Sequence, residues 1–190
     1  HSMAHFSAQV ALYICNIQAM MFMTIFSFSL VGCNDQATQK SEPYIEDFTQ
    51  VEFEKLMKYR DSYVGDNSAV INIVTGLPGN RYNPSFNLQT QKEPYEIAIN
   101  YTVNDEEVDE SYLNFWNDNN PEEVLENNAI ILFSLISNVD LIEFDIDGID
   151  SLSNHSYKYS REELESKYNL ELADLSANED SLDDFFKEKE

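Results

Sequence analysis

Tyr95-Glu96-Ile97-Ala98-Ile99-Asn100-Tyr101-Thr102-Val103 alternates apolar residues with polar or small ones, the mark of a strand with one buried face. Just upstream, Phe86-Asn87-Leu88-Gln89-Thr90 alternates in the same way, and Gln91-Lys92-Glu93-Pro94 lies between them. Two alternating runs joined by a short segment rich in turn residues read as a β-hairpin. Before the hairpin, Val70, Ile73, Val74 and Leu77 recur at helical spacing behind Asp66 or Asn67 as N-cap, and Pro78-Gly79 ends the helix. Still further upstream, Phe48, Val51, Phe53, Leu56 and Met57 suggest a short helix or an extended lead-in over 44–60.

Beyond the hairpin, an acidic, asparagine-rich loop runs from Asn104 to Asn120. Pro121 then suits the first turn of a helix, with Glu122 and Glu123 favourable to its positive end. That helix is expected to reach about Asn138, and Ala129 to Ile136 is the most apolar stretch after Cys33, which marks it as the central buried helix. Leu141-Ile142-Glu143-Phe144-Asp145-Ile146 alternates again, Asp147-Gly148 reads as a turn, and Ser156 to Ser160 can pair back as a fourth strand. Ser160-Arg161-Glu162-Glu163 has the capping-box pattern and opens a helix to Tyr168. The order is helix-strand-strand-helix-strand-strand-helix. This is an α+β fold, an antiparallel sheet of about four strands with helices packed on one face.

Charge divides the chain. Of 190 residues, 35 are acidic and 11 basic, a formal net charge of -24, with 43% hydrophobic residues. The apolar fraction suffices for a real core, and the acidity argues against a nucleic-acid partner, which needs a basic face. Residues 1–32 contain no Asp, Glu, Lys or Arg. Within them, Met20 to Leu30 is apolar but shorter than the roughly 20 residues needed to cross a bilayer. It matches the hydrophobic region of a signal peptide, while an extension back to Val10 reaches spanning length; both readings export the rest.

Leu30-Val31-Gly32-Cys33 decides between them, because it resembles the lipobox of bacterial lipoproteins. The resemblance implies cleavage between Gly32 and Cys33 and lipidation of the Cys33 thiol. The domains then read as a signal peptide over 1–32, a lipidated cysteine and flexible tether over 33–46, a globular domain over 47–168 and an acidic C-terminal tail over 169–190. Cleavage removes Cys15, the only other cysteine, leaving no partner for a disulfide and no thiolate zinc site. The expected location is the extracytoplasmic face of the cell membrane, held by the N-terminal lipid.

Tyr63-Val64-Gly65-Asp66-Asn67-Ser68, Leu77-Pro78-Gly79-Asn80, Leu88-Gln89-Thr90 with Lys92-Glu93-Pro94-Tyr95, and Ile99-Asn100-Tyr101 together resemble the domain of unknown function 4825 family. Asn128-Ala129, Leu132 to Ile136, Asn138-Val139-Asp140 and Phe144 are similar to its second half, so the likeness covers about Phe53 to Tyr168. The resemblance implies a lipoprotein of the Gram-positive type, or a domain of the kind carried outside the membrane on sensor-type metallopeptidases. It implies an extracytoplasmic domain that folds alone, and it carries over no functional residue.

Candidate chemistry is sparse. His155 is the one histidine after Cys33, in an expected loop beside Asn154 and Ser156, without a nucleophile elbow. Asp145, Asp147 and Asp150 around Gly148 offer the hard oxygen ligands a calcium ion prefers, but a strand ending in an Asp-Gly turn explains them without a metal and is the favoured reading. Asp66, Asn67 and Ser68 form either an anion or ligand site at a helix N-terminus or a simple cap. Trp116, Tyr112 and Phe115 either offer an exposed contact for a partner or glycan or fold back on the core. No cofactor is required, and no activated nucleophile is visible. The expectation is a binding or sensing accessory rather than an enzyme, or else an interaction subunit of an envelope complex, with an envelope protein or small ligand as partner.

Overall fold

The computed structural model describes residues 44–82, 84–102, 110–150 and 153–189. The lead-in is a 3-10 turn at Phe48–Gln50, then α1 (Phe53–Leu56) and a second 3-10 turn at Met57–Tyr59. There follow α2 (Asn67–Thr75), β1 (Ser85–Gln89), β2 (Glu96–Tyr101), α3 (Glu110–Asp118), α4 (Pro121–Leu135), β3 (Leu141–Asp150), β4 (Ser153–Ser160) and α5 (Arg161–Tyr168). A 3-10 segment at Leu172–Ser176 leads into α6 (Glu179–Lys189). The architecture is α+β, with a four-stranded sheet in the order β1-β2-β3-β4.

The sheet is mixed, which corrects the antiparallel expectation at its centre. The two outer pairs are antiparallel, but β2 and β3 run parallel, with Glu96 opposite Leu141 and Tyr101 opposite Ile146. The reason is the connection: α3 and α4 lie between these strands, long enough to carry the chain back to the end where β2 began. The expected Asp147-Gly148 turn is also corrected. β3 continues through it to Asp150 with a register irregularity between Ile146 and Asp150, and Gly148 there has φ +75°. A single left-handed residue inside a ladder is the backbone signature of a bulge rather than a hairpin tip.

Strand alternation sets the layers. Ile97, Ile99 and Tyr101 of β2, Ile142, Phe144 and Ile146 of β3, and Tyr159 of β4 are buried. They face α4, whose residues from Leu125 to Leu135 are all buried. This helix ends sooner than its apolar run suggests. Ser62 pairs with Ile136 in an isolated bridge, donating its N–H to Leu135 O at 3.1 Å and accepting from Ser137 N at 2.9 Å. The carbonyls left at the helix end are met by Arg161, which donates to Phe133 O (2.9 Å), Ile136 O (2.8 Å) and Val139 O (3.0 Å). A guanidinium at that end also complements the negative pole of the helix.

The Asn104–Asn120 stretch is not wholly a loop. Its second half is α3, with Tyr112, Phe115 and Trp116 buried, so the exposed-aromatic reading fails and the core reading holds. The single Tyr112 hydroxyl proton lies within hydrogen-bond reach of both Asp147 O (2.7 Å) and Tyr101 O (3.0 Å), fastening α3 to the ends of β2 and β3. Trp116 sits 5.2 Å from the Tyr101 ring. Gly79 approaches this cluster so closely that a Cβ would meet Tyr101 Cε1 at 3.2 Å and Trp116 Cη2 at 3.6 Å, and its φ of +91° is one that side chains rarely adopt.

The stretch after Asn169, read as an acidic tail, buries Leu172, Leu175, Leu182 and Phe186. Phe186 stacks on Phe48 at 5.3 Å and on Phe53 at 5.7 Å, so the lead-in and α6 close on one another. Glu126 of α4, 8% exposed, is the polar counterpart. It accepts from Lys167 Nζ at 2.6 Å and from the Tyr168 hydroxyl, and Lys189 Nζ lies at 3.4 Å. Desolvation works against its charge, but the Lys167 and Tyr168 hydrogen bonds and the Lys189 charge prevail and hold its carboxyl below the ordinary range.

Candidate functional site

The alternation that buries one side of the sheet turns the other side outward. On this open face β2 carries Glu96, Ala98 and Asn100, β3 carries Glu143 and Asp145, and β4 carries Ser156 and Lys158. Register decides which of them meet. Glu143 lies opposite Lys158 and Asp145 opposite Ser156, while Ala98 stands opposite Glu143 across the parallel pair. Lys158 Nζ therefore bridges two strands, 3.4 Å from Glu143 Oε2 and 3.6 Å from Glu96 Oε1. Ser156 Oγ donates to Glu143 Oε1 at 3.0 Å. Asn100 Nδ2 donates to Asp147 Oδ2 at 3.3 Å.

Each group tunes its neighbour. The Ser156 hydrogen bond, aided by Lys158, holds the Glu143 carboxyl below its usual value. Partial desolvation disfavours the Lys158 charge, yet Glu96 and Glu143 outweigh it and hold the ammonium above its usual value. Both ions are thus fixed in their charged forms near neutrality. At the hairpin end of the same face, Asn87, Gln89, Lys92, Glu96 and Ala98 line a shallow depression. The face offers carboxylate acceptors, side-chain amides and the ammonium groups of Lys158 and Lys92 on a sheet, an arrangement suited to polar recognition.

Asp145 and Asp147 both belong to this region, while the side chain of Asp150 lies outside the described ones. Among the described residues no three His, Cys, Asp or Glu side chains gather closely enough to hold a metal ion. His155 is in β4 opposite Ile146, not in a loop. At the start of α2, the Asp66 carboxylate accepts from Ala69 N at 3.0 Å, the N-cap that the sequence pattern indicates. Asn67 and Ser68 are exposed on the first turn. Gly32 and Cys33, with the whole signal and tether to residue 43, lie outside the described residues.

Residues 56–160 match the family model described as Domain of unknown function (DUF4825), more than half of the chain. The chain belongs to the DUF4825 family. No curated protein and no solved structure matches it. The DUF4825 match takes in the whole sheet, α2, α3 and α4, and stops at Ser160, ahead of α5 and α6. The open face therefore lies entirely within the family domain, whereas Lys167, Tyr168 and Lys189 around Glu126 lie beyond it. Sequence reasoning overlooked Glu96, Glu143 and Lys158. Alternation alone places both glutamates on the solvent side, but their meeting with Lys158 depends on strand register.

Proposed function

We propose that this DUF4825 protein is an extracytoplasmic lipoprotein, anchored through Cys33, that serves as a binding or sensing accessory at the membrane surface. The observation that carries the reading is the order of segments before the domain: an uncharged apolar run, Leu30-Val31-Gly32-Cys33, and a polar tether. The open sheet face supports binding rather than catalysis. Glu96, Glu143 and Lys158 pair with one another, with Glu143 driven down and Lys158 driven up, so neither of the last two is poised for proton transfer near neutral pH. A polar ligand or a polar patch on an envelope protein would exchange those mutual contacts for its own.

A second reading, an interaction subunit of an envelope complex, draws on the breadth of the same face, which extends over β2, β3 and β4. That face takes the place of Trp116, Tyr112 and Phe115 as the contact surface, because those aromatic residues are buried. Calcium binding through Asp145, Asp147 and Asp150 is the least supported alternative. The anchor is tested by feeding cells radiolabelled palmitate: the full chain incorporates label and Cys33→Ala does not. Absence of label, or label retained in the variant, refutes it.

A further inference from the structure

Among the described α-helices, α2 is the one with no charged side chain: Asn-Ser-Ala-Val-Ile-Asn-Ile-Val-Thr over 67–75. Ala69, Val70, Ile73 and Val74 bury its inner side. Its outer side, Asn67, Ser68, Ile71, Asn72 and Thr75, is exposed and neutral, in a chain of net charge -24.

The exposed large hydrophobic residues of the described structure are Tyr44 (56%), Tyr63 (65%) and Ile71 (44%), and all three belong to this helix or its ends. Tyr63 precedes the N-cap, its carbonyl accepting from Asp66 N at 2.8 Å. Ile71 is mid-helix. Tyr44 is held at the far end through its neighbour: Ile45 N donates to Asn80 Oδ1 at 3.0 Å, and Asn80 Nδ2 donates to Thr75 O at 2.8 Å. A nine-residue helix is about 13 Å long, so the three stand on or beside one short element. The Arg81 guanidinium lies 4.8 Å over the Tyr44 ring. Asp66, Glu46 and Asp47 stand beside the helix N-terminus or Tyr44 in sequence, and Asp61 stands two residues before Tyr63. The Asp66 and Asp47 carboxylates are engaged in capping backbone N–H groups.

Tyr44 is also where the chain arrives from Cys33, through residues 34–43, a tether that spans at most about 35 Å when fully extended. The point at which an anchored chain enters its domain is thus the end of the one neutral helix. We infer that the outer side of α2 is the surface this domain turns toward the lipid bilayer, with Tyr63, Ile71 and Tyr44 at headgroup level. The inference rests on the Cys33 anchor. Tyrosine favours the membrane interface, where its ring and hydroxyl are both satisfied. The acidic remainder of the surface is repelled by anionic headgroups, and a neutral patch is not. With the lipid already holding the chain, a weak contact suffices to orient it.

The test uses the full chain processed and lipidated at Cys33, reconstituted in phosphatidylcholine–phosphatidylglycerol vesicles containing a lipid with a nitroxide near the headgroup. A fluorophore is attached at Ile71→Cys or, on the open sheet face, at Asn87→Cys. The expected result is loss of most of the fluorescence at position 71 and little loss at position 87. Equal quenching, stronger quenching at 87, or none at 71 in vesicle-bound protein overturns the orientation and leaves the anchor standing. Protein that does not float with the vesicles and carries no lipid at Cys33 overturns the anchor, and the orientation with it.

Discussion

Strands β2 and β3 present Ile97, Ile99, Ile142 and Phe144 to the helices and Glu96, Asn100, Glu143 and Asp145 to solvent. The backbone is shared, so the difference between the two faces is purely one of side-chain burial. On the helix side each residue is enclosed by others of its kind, and removing one leaves a void that close packing cannot fill. On the open side the charges meet across strands in contact with water, where attraction is screened and the side chains are free to change partners. Stability therefore belongs to one face, and the capacity to exchange contacts with a ligand to the other.

Phe144→Ala tests this division most severely. Phe144 has no exposed surface and lies 6.3 Å from the Tyr101 ring and 6.1 Å from that of Tyr159. Truncation is expected to cost about 3–5 kcal/mol, measured as a fall in the denaturant midpoint. Asp145→Ala, one position along the same strand, is expected to stay within about 0.5 kcal/mol of the parent. Comparable losses from both would mean that the two faces are not energetically distinct.

The helix-covered face was legible because alternation is local: Ile97, Ile99 and Tyr101 declare it without reference to any other strand. Strand direction was not legible, since Leu141 to Ile146 alternates identically whether it runs with β2 or against it. The Asp66 cap and the Ser160 capping box could be read from neighbouring residues alone, and Glu163 N does donate to Ser160 Oγ at 3.2 Å. The Glu96–Lys158–Glu143 arrangement could not, because it joins three strands through two registers. The Asp147-Gly148 pair misled for a related reason. The dipeptide favours positive φ, which serves a bulge as well as a turn, and pairing further along β3 decides which forms.

Glu126 sharpens the comparison from the buried side, as a carboxylate that shares the core's burial but not its chemistry. Glu126→Gln leaves Lys189 half-buried without its charge partner and is expected to cost about 1–3 kcal/mol near neutral pH. The sign with pH follows from the lowered native value. The unfolded chain takes up this proton near its ordinary value of about 4.3, before the native state does. The stabilisation is therefore complete above that value and is lost as pH falls through the lower, native one. The gap in melting temperature between parent and variant should narrow on acidification. A gap that stays constant from neutral pH to pH 3 would show that Glu126 acts through packing and not through its charge.

Of the two paired carboxylates, Glu143 has the smaller effect. Its carboxylate also sits below the ordinary range, led by the Ser156 hydrogen bond, so the direction with pH is the same as for Glu126. Its setting differs: the side chains of Lys158 and Glu143 are 50% and 30% exposed, and water screens what they exchange. Glu143→Gln keeps an oxygen for Ser156 and removes only the charge, so the expected cost is below about 1 kcal/mol. That remainder should vanish in high salt, whereas the Glu126→Gln cost, arising where salt penetrates less, should largely survive. Equal salt sensitivity in the two variants would break the distinction between a carboxylate that holds the fold together and one that remains available to a ligand.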